Sequence, residues 1–450
     1  MRIVSCLIVL VPLLALRVSG APTPPATTNV LDVALRATNL WNTAPGPFLE
    51  QFGRYGFRWT EQDRQETARA AVTNLTFVGL RVWEALARFK DGRLDEVVLQ
   101  LYNRGDAGEM TAADFEALVG TADTNIAAWA GAKGSAQRTE HPSAGAVVMK
   151  KVWVSEPHRL DLEWSFTRGQ IEAGKRASTR MEYVKLTITR LDPAKRGDLL
   201  SNAPAASTRI KTITPMDLKR RVEHEPNGDV VITNVPMVDQ GQKGYCIAAT
   251  TERLLRYFGR DLDQHEMAQI ANTSAEEGTT LDGMLKALRR IAGSMQIRVE
   301  TLVEFNYDAL KNLIEDYNHA ARKAGVAEIK IEQIIQMNEV YRQMKPDVLR
   351  QTRVKKAAEL AKFQAAIKKN VDAGLPLAWS LMVGMTSETP AIPEGVFGHM
   401  RLIIGYNTKA GEILYTDSWG PGHEKKRMQM EDAWFPTTGL YVIVPRGLMM

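Results

Sequence analysis

The chain of 450 residues holds 57 basic and 52 acidic side chains, a formal net charge of +5, with 44% hydrophobic and 24% charged residues. That balance excludes intrinsic disorder, a collagen-like repeat and a disulfide-dense miniature scaffold, and the length suits about three domains of ~150 residues. The basic clusters Lys219–Arg221, Lys355–Lys356 and Lys425–Arg427 are scattered and carry no interleaved aromatics, so they read as solvated faces and no nucleic-acid partner is expected.

Residues 1–21 have the layout of a secretory signal: Arg2, an apolar run from Ile3 to Leu16, then small residues at Ser19, Gly20 and Ala21. The run is shorter than the roughly 20 residues that span a bilayer, and no later segment reaches that length, so the mature chain is expected outside the cytoplasm, secreted or periplasmic, without a membrane span. Removing the signal takes away Arg2, Arg17 and Cys6, which lowers the charge from +5 to +3 and leaves Cys246 as the sole cysteine. A lone thiol in an exported chain forms no internal disulfide; it is a buried small hydrophobe, an intermolecular bridge or a nucleophile.

Residues 22–29 (PTPPATTN) read as a flexible leader. The spacing of Leu31, Val33, Leu35 and Leu40–Trp41 predicts a helix. Leu75–Lys90 and Arg93–Tyr102 read as a hairpin closed by Asp91-Gly92, and Thr111-Ala-Ala-Asp114 as a capping box opening a helix to about Trp129. Ala146–Val154, Arg159–Thr167 and Met181–Arg190 complete the strands; the alternation of Leu160, Leu162 and Trp164 fits an antiparallel sheet with one wet face. The expected fold class is α+β: an antiparallel-sheet-plus-helix domain over 30–191, a linker over 192–214 and a second domain over 215–450. Within the second domain, about 307–370 turns to charged helix formers and reads as two or three inserted surface helices.

The chemistry gathers in two blocks of the second half. In the first, Cys246 opens an amphipathic helix that stops at Gly259, and a helix N-terminus favours thiolate over thiol. Gly241 and Gly244 let the chain bend and let a substrate approach the backbone, and the amide of Gln240 can donate to an oxyanion forming over the sulfur. In the second block, His399 begins a strand-like run to Gly405-Tyr406, followed by a turn and a second strand ending before Asp417. Adjacent antiparallel strands place His399 near Asp417, whose carboxylate can fix the tautomer and stabilise imidazolium, with Trp419 shielding the pair. His423 competes as base, but the strand geometry favours His399.

Together the blocks resemble papain-like cysteine peptidases. The pattern Gln-Gly-x-x-Gly-x-Cys stands at Gln240–Cys246, the histidine followed by Gly-Tyr at His399, Gly405 and Tyr406, and the Asn-Ser-Trp-Gly tail as Asp417, Ser418, Trp419 and Gly420. The resemblance implies a papain-like domain, a helix carrying the cysteine packed on an antiparallel sheet carrying the histidine. It also implies a peptide or protein substrate, and the roles nucleophile for Cys246, base for His399, orienting residue for Asp417 and oxyanion donor for Gln240. Lys243 replaces the family's disulfide-forming cysteine, Ile247 its aromatic and Asp417 its asparagine. Asp417 and the Cys-Ile-Ala-Ala helix are closer to the bacteriocin-processing, double-glycine branch.

A transglutaminase-like acyl transferase also uses Cys, His and Asp, and an inactive binding protein built on this fold is the rival of another class. No cofactor is expected, since neither a phosphate loop nor a cysteine-based metal cluster is visible. His265 lacks a second histidine at i+4 and reads as a solvated helix start, and Arg104-Gly105-Asp106 as a turn.

Overall fold

The computed structural model describes residues 29–141, 146–168, 179–191, 213–241, 244–260, 264–271, 281–330, 337–390, 392, 394–446 and 448. The expected signal over 1–21, all of the 22–29 leader but Asn29, and all of the linker but 213–214 lie outside these residues.

Eight antiparallel strands form the first sheet, in the order Arg58–Trp59, Thr67–Ala70, Glu84–Lys90, Arg93–Asn103, Thr179–Arg190, His158–Arg168, Ala146–Ser155 and Ser135–His141. The Asp91-Gly92 turn takes positive φ at both residues, as a two-residue hairpin requires. Thr111 accepts at its hydroxyl from the Asp114 N–H, and the helix Ala112–Ala130 runs from that cap to a left-handed Gly131. Phe115, Ala122, Ile126 and Trp129 of the helix pack with Leu160, Leu162, Trp153 and the Phe48/Phe52/Phe57 cluster into one core.

Three expectations change here. The stretch 75–90 is not one strand: Leu75–Phe77 and Leu80–Arg81 form a small sheet with Asn29–Val30, broken where Val78 and Gly79 turn with positive φ. The helix expected from Leu31 is only Asp32–Leu35, with a short 3-10 turn at Leu40–Asn42. Most consequential, the polar face of the sheet is not wet. Leu160 and Leu162 do face the core, but the opposite face of the sheet turns toward the second half of the chain, where several of its polar residues find partners. Lys185 pairs with Glu266 at 2.9 Å, and Ser165 donates to Gln269 Oε1 at 2.9 Å. A polar cavity of about 270 Å³ remains in this seam, lined by Glu84, Arg88, Lys185, Glu252 and Gln264 among others. It does not reach Cys246 or His399.

The second sheet runs Val222–His224, Asp229–Ile232, Phe397–Asn407, Leu377–Val383, Thr437–Pro445 and Ile297–Val303, all antiparallel. Glu412–Thr416 adds to Phe397–Asn407, and Lys426–Gln429 to that strand. The strand Phe397–Asn407 is central and nearly wholly buried, as its run of apolar residues requires of a strand covered on both faces. Against it lie the helices Cys246–Tyr257 and Ala357–Asp372. The inserted stretch holds four helices among the described residues: Tyr307–Ala324, Met337–Gln343, Pro346–Val354 and Ala357–Asp372. They are not all surface helices. Phe363, Ile367 and Val371, spaced i, i+4, i+8, are completely buried in the main core, and the lysines between them hide that stripe in the composition.

The strand pairing leaves Gly405 without room for a side chain. A Cβ on Gly405 would sit 2.5 Å from the Val230 carbonyl oxygen and 3.2 Å from Leu414 Cβ. Gly405→Ala should therefore cost at least about 2 kcal/mol, the scale of core overpacking. Urea unfolding monitored by tryptophan emission measures it, and an unchanged midpoint would show that the strands part without cost.

Candidate active site

Tyr245 caps the helix Cys246–Tyr257 by backbone geometry alone, leaving Cys246 as its first residue. The helix is buried on nearly every side, with Ala248, Ala249, Leu254 and Leu255 inaccessible, so the thiol is held against the sheet rather than offered on a mobile loop. The backbone N–H groups of Met400, Ile247 and Cys246 itself favour its thiolate form. Thr250, one turn on, donates its hydroxyl to the Met400 carbonyl. The start of the cysteine helix and the residue following His399 are thus in direct contact. Burial nevertheless outweighs those donors and pushes the Cys246 thiol up.

His399 is buried, its imidazole stacked flat on the Trp419 indole at 4.0 Å and 6°. Burial, and after it the Arg401 charge, depress its pKa to about 3, so the ring is neutral at physiological pH. Its Nε2 is buried with no hydrogen-bond partner among the described residues. A buried nitrogen left without a partner costs on the order of 1–3 kcal/mol.

The carboxylate of Asp417 is inaccessible. The register pairs Leu402 with Thr416, so Asp417 continues opposite Arg401, two residues from His399 on the same face. Its hydrogen-bonded imidazole is accordingly His423, whose Nδ1 lies 3.0 and 3.1 Å from its two oxygens, and not His399. Arg401 Nε is 3.7 Å away, and the Trp419 N–H donates at 3.2 Å. Burial would raise the carboxyl, but the His423 bond and the Arg401 charge hold it below the usual carboxylate range. Arg401 is wholly buried in turn, anchored by Glu388 at 3.0 Å.

Gln240 is tied to the same turn. Its N–H donates to the Ser418 carbonyl at 2.9 Å, and the Ser418 hydroxyl donates to its Oε1 at 2.6 Å. Its amide oxygen is thus occupied by Ser418, which ties Gln240 to the turn. The structure thus brings Cys246 to the His399–Met400 strand and Gln240 to the Asp417–Ser418 turn, while Asp417 hydrogen-bonds to His423. No hydrogen bond joins His399 to Cys246 or to Asp417 among the described residues.

Two arginines went unrecognised in the sequence. Arg253, seven residues after Cys246 on the same helix face, donates to Pro236 O at 2.8 Å, Asp417 O at 2.7 Å and Thr416 Oγ1 at 2.7 Å. Burial lowers its pKa to about 10, and it remains a cation. Arg401 is the second. Both stand in otherwise apolar spacing, the one signal that could have marked them as buried. His265 is also corrected: it is buried, its Nδ1 2.7 Å from Asn103 Nδ2, and not a solvated helix start. Among the described residues, no group of three or more His, Cys, Asp or Glu is placed to hold a metal ion, and no helix is long and apolar enough to cross a membrane.

Residues 232–442 match the model of the Peptidase_C39 like family. This C-terminal region resembles the C39 peptidases. The match starts in the strand that pairs with Phe397–Asn407 and ends in the strand Thr437–Pro445, so it takes in Cys246, His399, Asp417 and Gln240 but none of the first sheet. The family suggests a cysteine-peptidase type of function, acting on peptides. A comparison with curated proteins found no match for the chain.

The depressed pKa of His399 has a consequence for stability. An unfolded imidazole takes its proton near pH 6.5 and the folded one only near pH 3, so between these values the unfolded chain binds more protons. Stability therefore falls as the pH drops from about 6.5 toward 3. His399→Gln removes this term and should flatten the decline of the urea midpoint between pH 6.5 and 4. Parallel pH dependences in parent and variant would contradict the buried neutral imidazole.

Proposed function

We propose that the chain is an exported cysteine peptidase that hydrolyses peptide or protein substrates through an acyl-enzyme on Cys246. The observation that carries this reading is the seating of the cysteine helix on the strand of His399, tied there by the Thr250–Met400 hydrogen bond, in a region that matches a peptidase family. The groups a thiol hydrolase needs support the reading: a neutral imidazole with a buried nitrogen, a buried carboxylate, and an amide tied to the carboxylate's turn.

With a raised thiol and a neutral imidazole, the resting site is an uncharged pair and not a thiolate–imidazolium pair. His399 then acts as general base at the moment of attack. It takes the thiol proton as sulfur bonds to the substrate carbonyl carbon, whose oxygen becomes the oxyanion and accepts from Gln240 and the Cys246 backbone N–H. Imidazolium donates that proton to the leaving amine as the C–N bond breaks, leaving a thioester. Water, deprotonated by the same imidazole, releases the acid and restores the thiol. Asp417 stabilises the imidazolium electrostatically, and catalytic hydrogen bonds that are open in a resting site commonly tighten on substrate.

The Asp417–His423 hydrogen bond favours a second reading, in which His423 is the oriented base. The Thr250–Met400 hydrogen bond argues for His399, because it seats the cysteine helix on that residue's strand. Acylation by p-nitrophenyl acetate decides between them without knowledge of the natural substrate. The parent should acetylate on Cys246, located by peptide mass spectrometry, and turn over. Cys246→Ala should abolish both, His399→Ala should slow acetylation by about 10²–10⁴-fold, and His423→Ala by about tenfold or less. Turnover persisting in Cys246→Ala would refute the assignment. An unacylated parent would favour the inactive binding protein, and faster release by added amines than by water a transglutaminase-like transferase.

A further inference from the structure

The first sheet grips the nucleophile's loop from both ends. Arg69, on the strand Thr67–Ala70, is paired with Glu84 of the neighbouring strand and reaches Asp239 Oδ2 at 3.4 Å. Its guanidinium also fills the space beside Gly241, where a Cβ would meet Nη2 at 2.5 Å; Gly241 itself has φ +68 and donates its N–H to Asp239 Oδ1. At the other end, Tyr245 donates its hydroxyl to Asn103 Oδ1, and Asn103 Nδ2 meets His265 Nδ1 at 2.7 Å. Gly105 lets this happen: a Cβ there would lie 2.0 Å from the Tyr245 hydroxyl oxygen. Asn103, Tyr245, Glu84 and His265 are all buried.

The gripped residues are the neighbours of the reacting groups. Asp239 and Gly241 flank Gln240, and Tyr245 precedes Cys246. The contacts meet the loop's flanks, and among the described residues none of the hydrogen bonds or ion pairs from the first sheet ends on Cys246 or His399. A segment that inhibits by occupying a cleft would cover the thiol, whereas this one leaves it half-buried while fixing what stands on either side.

We propose that the first sheet is a permanent part of the thiol site, with Arg69 and Asn103 as positioning residues that set the oxyanion donors through Asp239, Gly241 and Tyr245. The proposal rests on the peptidase reading above and assigns the N-terminal half the role of a scaffold for the oxyanion loop. Loss of the grip should harm steps that pass through an oxyanion and spare those that do not. Acetylation by p-nitrophenyl acetate passes through a tetrahedral oxyanion, whereas alkylation by iodoacetamide is a direct displacement of iodide by the same sulfur.

The test measures both rates at Cys246 in the full chain by peptide-resolved mass spectrometry, for the parent, Arg69→Gln, Asn103→Leu and the conservative Tyr245→Phe. Arg69→Gln and Asn103→Leu should lower the ratio of acetylation to alkylation by about tenfold or more, part of the ~10²–10³-fold that loss of an oxyanion donor costs, and Tyr245→Phe by less, with alkylation itself within twofold. Amide hydrogen exchange over 244–249 should rise in the same variants, a readout that needs no acylation. An unchanged ratio and unchanged exchange in the folded variants would overturn the inference while leaving the peptidase reading intact. Should Asn103→Leu not fold, Arg69→Gln and Tyr245→Phe decide on the same criteria. A parent that is never acetylated defeats the peptidase reading, and the scaffold role with it.

Discussion

Arg253 leaves the cysteine helix two turns after Cys246 and, without access to solvent, gives its donors to Pro236, Asp417 and Thr416. Burying a guanidinium costs several kcal/mol, offset here by three short hydrogen bonds and by the fields of Asp417, Glu61 and Glu424. The bonds are what matter for the site. One planar, rigid fork joins the helix that presents the sulfur, the segment leading into Gln240 and the turn that carries the carboxylate. Neither a lysine nor an apolar residue can bind three acceptors in those directions, so the relative placement of the candidate groups hangs on this side chain.

A second buried cation sets the electrical character of the site. Arg401 stands on the same strand face as His399 and opposite Asp417. It adds to the His423 bond in keeping the carboxylate ionised and to burial in keeping the imidazole neutral, two effects of one charge on neighbours of different type. Glu388, itself kept below its usual range against burial by Arg401, supplies the compensating charge from the other side, with Lys426 and the Tyr415 hydroxyl as further partners. The uncharged thiol–imidazole pair is the outcome of this arrangement together with burial, and the helix terminus at Cys246 is too weak to reverse it.

Much of the site was legible because its residues sit in local patterns. Gln240, Gly244 and Cys246 share one short stretch, and a glycine-rich loop running into an apolar helix is a signal that needs no tertiary knowledge. The strands around Leu160 and Leu186 were legible for the same reason, since alternation is local. The partner of Asp417 was not. Whether a carboxylate at a strand end meets the residue opposite or one six positions along its own turn depends on register and on how the turn folds back, and neither is written in the spacing. Buried arginines escaped for a related reason: charge marks a residue as exposed until the structure shows what surrounds it. The polar sheet face misled in the same way, because charged residues that pair across a seam are spelled like charged residues that face water.

That face has a bearing on how the chain is made. Ribosomes deliver the first sheet before the residues that cover it, and a nascent half with one large uncovered surface invites association with other chains. Here the surface that waits is studded with Arg69, Glu84, Arg88, Glu163 and Lys185, which water solvates well until the cysteine helix and its neighbour arrive. The charges that later lock the two halves together thus serve earlier as protection against aggregation.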